Sequence, residues 1–556
     1  MDADMGTAED ANLDQAEYAT TYFTLQQHVG AIHAHIGLMV VGWVFILPLA
    51  IMFSLARSRY TLPAQFLFLV ANALGVITGF SYNTNTPDLY PNNAHHKLGW
   101  VATWVVSAQI FVGLIGRIAG MLSKHVARQS TNDEEQAFIP VSMENMAEHQ
   151  RRNGSHFSDP YRHSNDGGQG TEPRAESLRS NSLSTAVGQD SQDEDDDDLA
   201  FKPSEMLRST KPTSLLSRIA GSISSRSWRF ITIGYDVVDR TILILGYIAL
   251  CTGVITYARF FEGHEVFSGL AHWIKGGIFF WYGVLTLGRW SGSFGELGWA
   301  WNVRPKQSSQ RWRPTAEFVE GALIFTYGAT NIFLEHLGKP GDEEFSPEDL
   351  EHVSITVLFI GGGLLAMLVE STSVRELLNT TVTEAALAHP HHAYSEEERD
   401  SLEPPATYEF SINPIPALVI LLLGIMMSSH TQESMISSMV HKQWGNLLTG
   451  ASFARGFTYV LLYLKPPRSI LPSRPPTELL TAFGLISGGT VFMASSGDTV
   501  AGMEHYGLDA MFFYTVTMGL VGLLMAWIVI LLAIKGWAVR KESGNSAKSW
   551  SQLSRL

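Results

Sequence analysis

Eleven apolar stretches, each of the length needed to cross a bilayer, constrain this chain more than any other feature. A span takes about 20 mostly apolar residues. The stretches are Ala31–Ala56, Pro63–Tyr82, His96–Met121, Val237–Phe260, Val266–Trp290, Ala316–His336, His352–Glu370, Pro414–Gln432, Trp444–Leu464, Thr477–Ser496 and Leu508–Lys535. Backbone groups in lipid must be paired internally, so runs this long become helices. The expected fold is all-α: a polytopic transmembrane helical bundle of about eleven spans. Composition agrees. Asp, Glu, Lys and Arg make up 16% of the 556 residues, below the roughly 25% of soluble chains.

Basic residues in the connections set the orientation. Arg57 and Arg59 follow the first stretch, and Arg289, Arg304, Lys306, Arg311 and Arg313 the fifth. Lys465, Arg468 and Arg474 follow the ninth, and Lys535, Arg540 and Lys541 the last. Asn83–Ala94 and Gly497–Gly507 hold no Lys or Arg. The alternation predicts an N-terminus outside and a C-terminus in the cytosol. Seven regions follow: an acidic tail (1–30), a three-span block (31–121), a linker (122–230), central spans (231–371), a loop (372–412), C-terminal spans (413–536) and a tail (537–556). The linker is rich in Ser, Asp, Arg and Gly and carries Asp193-Glu194-Asp195-Asp196-Asp197-Asp198. It has too little apolar surface to bury, so it is expected to be disordered and cytosolic. Met1 to Thr24 has no Lys, no Arg and no apolar core, so it does not read as a signal peptide.

Several classes are excluded. The single cysteine, Cys251, rules out an internal disulfide and a thiolate metal cluster. A net charge of −15 without a basic stripe argues against nucleic acid. The lipid bilayer is the one partner specified; a homo-oligomer is left open, as is which membrane holds this multi-pass chain.

The 19 histidines fall one-sidedly. On this topology His28, His33, His35, His95, His96, His264, His272, His336, His352, His430, His441 and His505 lie at or near the outer face. Imidazole ligates haem iron, copper and zinc alike; alternatively, such residues merely cap helix ends. In the first span His35, Met39 and Gly42 share one face, with Trp43 and Pro48 beyond. In the third, His95, Gly99, Ala102 and Gln109 share a face, and Gly99 removes a side chain where a flat macrocycle would approach. Two histidines at one depth on neighbouring helices suit bis-imidazole ligation of a b-type haem.

These residues resemble the transmembrane core of the cytochrome b-561 family, ascorbate-dependent or ferric-reductase electron carriers. One family span has His, Met, Trp and Pro at the spacing of His35, Met39, Trp43 and Pro48. Another has His, Gly and a later Gln, as in His95, Gly99 and Gln109. Ile36 departs from the Gly often found there. The whole chain resembles the fungal Ytp-type membrane proteins, which join such a block to a longer multi-span region. The resemblance implies haem b with His35 and His95 as axial ligands, and electron transfer or metal reduction with an unidentified donor and acceptor. The family uses four histidines for two haems. Here Ala64 and Gln65 stand in the second span, and Asp236 and Asp239 at the fourth, where the other two are expected. A single exoplasmic haem is therefore expected, without a relay across the ~30 Å hydrocarbon core.

The C-terminal region carries an echo. His441 and Gly445 have the separation of His95 and Gly99, and Arg455 corresponds to Gln109. A cation within a span costs at least ~2.5 kcal/mol, so Arg455 needs a partner, with Glu320 and Glu370 as candidates. His352, His430 and His441, with Glu351 and nearby methionines, suit a transition metal ion, although no H-E-x-x-H spacing occurs; helix-joining hydrogen bonds are the alternative. His272 and Lys275 carry the same two readings. A haem-free transporter or metal-handling protein is thus the second functional class, and a haem-free structural or sorting protein the third. His389-Pro390-His391-His392 is a further metal-binding tract or a surface loop. Gly361-Gly362-Gly363 lacks a phosphate-loop context and is expected to permit close helix packing.

Overall fold

The computed structural model describes residues 20–136, 225–263, 266–303, 314–337, 347–387, 405–430, 432 and 434–553. Every regular element among them is helical. In chain order they are α1 (Val29–Leu55), α2 (Thr61–Asn85), α3 (Ala94–Gln136), α4 (Ser225–Ala258), α5 (Val266–Ser291), α6 (Ala316–Leu337) and α7 (Pro347–Glu370). Then follow α8 (Thr372–Leu387), α9 (Ile415–Ser429), α10 (Met435–Leu464), α11 (Pro476–Met493), α12 (Gly497–His505) and α13 (Ala510–Leu553). A helix therefore lies on each of the eleven apolar stretches. Seven described helices are long and apolar enough to cross a membrane unaided, and α11 with α12, bent by 78°, makes an eighth candidate. The chain is a multi-pass integral membrane protein.

The 372–412 region, expected as a loop, contains the helix α8. Of the linker, α3 extends to Gln136 and α4 begins at Ser225. The remainder of the linker and His389-Pro390-His391-His392 lie outside the described residues.

The chain divides into two compact units, one of Met1–Trp104 with Thr241–Leu556, the other of Val105–Arg240. In the first, α5 packs along α11, α6 along α7, α9 and α11 along α10, and α1 along α2. Glycine sets several of these crossings. Gly363 faces the Phe325 backbone, Gly321 faces Ala366, and Gly362 abuts Val419 of α9. Two of the three glycines, Gly362 and Gly363, thus permit close packing, while Gly361 faces open space. Trp444, Leu448, Leu485 and Phe492 form the centre of the largest apolar cluster.

α1 shows how a local sequence defect is repaired. Pro48 has no N–H to offer the carbonyl one turn back. The helix widens into a π-turn over Val41–Ile46, with the Leu47 amide reaching Gly42. The freed Val44 carbonyl accepts from the Trp527 indole of α13 at 2.9 Å. A buried orphan carbonyl is thereby avoided.

In the second unit, Gln109 donates to Asp239 at 2.8 Å and both are buried. Gly113 lets the Tyr235 ring approach the α3 backbone.

Candidate functional site

His35 on α1 and His95 on α3 are brought together. Their ring centroids are 6.2 Å apart and their planes stand at 78°. Each ring is fixed from behind. His35 Nδ1 lies 2.8 Å from the Gly75 carbonyl of α2, and His95 Nδ1 lies 3.1 Å from the Ala249 carbonyl of α4. A carbonyl takes a hydrogen from an N–H, so both rings carry the proton on Nδ1 and leave Nε2 with its lone pair. This is the support that metal-ligating histidines use. Two glycines make it possible. A Cβ at Gly79 would meet the His35 ring at 2.6 Å, and one at Gly253 the His95 ring at 3.1 Å. Gly99 and Gly37, each on a histidine-bearing helix, have nothing within 4 Å of the Cβ position.

About two turns further in, Trp43 donates to Asn72 at 3.0 Å, and Asn72 to Thr103 at 3.4 Å. The Tyr22 hydroxyl accepts from the Leu89 amide at 2.8 Å, and the Tyr90 hydroxyl donates to the Phe260 carbonyl at 3.0 Å. Burial raises both phenols above their ordinary value.

Neither α2 nor α4 carries a histidine. Gln65 is buried where one ligand was sought, and Asp239 is engaged by Gln109.

His352, His430 and His441 do not converge as a set. No three His, Cys, Asp or Glu side chains among the described residues stand together as a metal site. His430 pairs with Glu351 at 2.8 Å, and His352 is exposed. His441 instead meets His272 of α5, with centroids 6.1 Å apart and planes at 87°. Its Nδ1 is held by the Ser437 carbonyl at 2.9 Å. The sequence raised His272 only beside Lys275, because nothing in its spacing points to α10.

At the opposite ends of these helices lies a buried ionic cluster. Arg455 is bound by Glu478 through both Nε (3.2 Å) and Nη2 (2.8 Å), and by both Glu320 oxygens at 3.2 Å. Arg289 binds Glu320 and Glu317 at 2.8 Å each. All five side chains are at most 3% exposed. Glu317 and Glu478 sit in the first turns of α6 and α11, where the helix dipole favours a carboxylate. Glu320 was foreseen as a partner of Arg455. Arg289 was read as a topology charge, and Glu317 and Glu478 were not singled out. The signal that could have found them was acidic residues opening an apolar run. Glu370 does not reach Arg455; it accepts from Thr315 and Ser411, at 2.7 Å each.

Apolar helices, buried ion pairs and imidazoles held in place define a polytopic helical membrane protein with a polar interior. Residues 245–536 match the family described as Protein YTP1-like, C-terminal, and residues 16–119 match a domain of unknown function, DUF2427. The chain belongs to the YTP1-like family. It is 35% identical to an uncharacterized membrane protein of Schizosaccharomyces pombe, over 91% of this chain and 94% of that one. It is 41% identical to an uncharacterized membrane protein of Saccharomyces cerevisiae, over 50% of this chain and 44% of that one. Protein YTP1 of Saccharomyces cerevisiae is 20% identical over 55% of this chain and 56% of its own. No solved structure matches. These matches bear out the Ytp-type resemblance and leave the cytochrome b-561 likeness resting on the histidine-bearing spans.

Proposed function

We propose that the N-terminal block binds one haem b between His35 and His95 and works as a membrane redox protein. The observation that carries this is the ring separation combined with Nδ1 support on both sides. A metal–imidazole bond is about 2 Å and the ring centre lies about 1 Å behind the nitrogen, so two axial imidazoles have centroids on the order of 6 Å apart. The observed 6.2 Å is of that order. The open space at Gly37 and Gly99 suits a macrocycle edge. Bound haem would supply one-electron chemistry; the chain's own contribution is to fix both tautomers and hold the two rings at ligating distance.

In this reading the chain crosses eleven times with its N-terminus outside, and the histidine pair lies at the exoplasmic end. Gln65 and Asp239 stand in place of an inner pair, so donor and acceptor meet the protein on one side. The test is a reduced-minus-oxidised optical spectrum of the purified full chain after haem supplementation. Wild type should show an alpha band that disappears in His35→Ala and in His95→Ala. A wild-type spectrum without haem absorbance sinks the proposal.

A second reading, a transition metal at the outer face, is favoured at His441 by its approach to His272. Metal content that is equal in wild type and His441→Ala argues against it.

A further inference from the structure

A small cleft of about 30 Å³ opens among the loops that border the ionic cluster. Arg289, Glu317, Trp301, Asn302, Thr315 and Ser411 are among its walls. Two features make it more than a gap. First, Thr315 and Ser411 hold Glu370 from the cleft side: both hydroxyls donate to it, one to each oxygen. Glu370 is 7% exposed, and its hydrogen-bonding partners are these two neutral, rotatable groups. Second, buried polar atoms around the cleft have no partner. Trp301 Nε1 and Asn302 Oδ1 belong to residues 6% and 4% exposed, and Tyr459, whose hydroxyl is also unpaired, packs against Trp301 with ring centroids 5.8 Å apart. Orphan groups at a polar recess require ordered water or another small polar occupant.

Charge decides what Glu370 does. Arg289 and Arg455 are fully engaged by Glu317, Glu320 and Glu478. These three carboxylates already exceed the two guanidiniums. Glu370 adds a fourth negative group in a place where burying an unpaired charge is costly. The charged groups facing it are Glu317 on α6 and Arg375 on α8. Arg375 is turned to the surface, where its guanidinium lies over the Tyr408 ring at 5.2 Å. Glu320 and Glu478 are bound by guanidinium nitrogens, whereas Glu370 is bound by hydroxyls, which can reverse and accept from a carboxylic acid.

We propose that Glu370 is a proton-binding site, loaded and unloaded through the hydrated cleft by way of Thr315 and Ser411. The ligand is a proton, delivered from water at this end of the helices. Titratable side chains inside membrane proteins commonly mark such relays. This site does not depend on the haem reading.

The experiment is infrared difference spectroscopy on the full chain in lipid nanodiscs, titrated between about pH 5 and about pH 9, the range open to a buried carboxyl. The expected result is a protonated-carboxyl C=O band that shifts in D2O and bleaches as pH rises. Glu370→Gln should remove it. Glu370→Asp should move it without removing it, which separates titration from misfolding. Ser411→Ala should shift the midpoint, and Glu409→Gln, at the exposed carboxylate that also lines the cleft, should leave the band in place. A carboxyl band common to wild type and Glu370→Gln overturns the proposal. So does a band that, at fixed pH and ionic strength, bleaches as sodium or potassium is raised, since that marks an alkali cation site.

Discussion

Helices α3 and α10 carry the same three residues' worth of design and complete it in opposite ways. His95 and His441 each meet a second histidine at nearly the same distance, 6.2 and 6.1 Å. Gly99 and Gly445 follow at the same separation. At Gly99 the space is empty; at Gly445 a Cβ would lie 2.6 Å from the Gly424 carbonyl oxygen and 2.9 Å from the Ser428 amide. Gly276, one turn beyond His272, is closed in the same way by the Gly489 carbonyl. Further along, Gln109 meets one carboxylate, whereas Arg455 meets two. Equal ring distances therefore do not mean equal sites. Beside the N-terminal pair, Gly37 and Gly99 face open space. The C-terminal pair is walled by backbone and by the Trp444–Phe492 stack, with Phe492 set edge-on to His272.

The largest contrast is expected at the third position. Arg455→Met leaves Glu320 and Glu478 short of a guanidinium inside the protein, and removing one partner of a buried pair costs about 3–5 kcal/mol. Gln109→Met removes one hydrogen bond to Asp239 and should cost about 1–3 kcal/mol. Thermal unfolding of the full chain in one detergent measures both. Equal losses would mean that the Arg455 cluster is not a structural centre.

The glycine contrast comes next. Gly445→Ala forces two backbones apart, and overpacking of this kind costs about 1–3 kcal/mol. Gly99→Ala meets no atom and replaces a poor helix former, so it should be neutral or stabilising by up to about 1 kcal/mol. A Gly445→Ala protein that melts like wild type would show that α9 and α10 are not in backbone contact. Gly99→Leu sharpens the same point functionally. It should lower haem content without lowering stability, whereas haem content should be unaffected by His441→Ala.

The helices and the N-terminal pair were legible in the sequence for simple reasons. Apolar length alone marks a span; His35 is followed at helical spacing by Met39, Gly42 and Trp43, and His95 by Gly99 and Gln109. What was illegible depended on which helices meet. His441 was visible, but its partner His272 lies on α5, and no local pattern relates the two. Arg289 looked like one more basic residue at a cytosolic helix end, because a buried guanidinium and a snorkelling one have the same sequence. Only the pairing with Glu317 and Glu320 tells them apart. Glu370 was read as a partner for Arg455, since the count of charges could be seen while the hydroxyls of Thr315 and Ser411 could not.

The smallest contrast lies in the partner helices. α1, which presents His35, contains Pro48 and a π-turn; α5, which presents His272, contains no proline. The freed Val44 carbonyl depends on the Trp527 indole. Trp527→Phe keeps the ring packing, including that against Phe45 at 5.4 Å, and removes only the donor. The loss should be about 1 kcal/mol, the net worth of one hydrogen bond. Haem content should be unchanged, because His35 is held by Gly75 of α2, not by the widened turn. If Trp527→Phe instead releases haem at unchanged stability, the π-turn itself aims His35, and the two histidine pairs then differ in how they are presented as well as in what surrounds them.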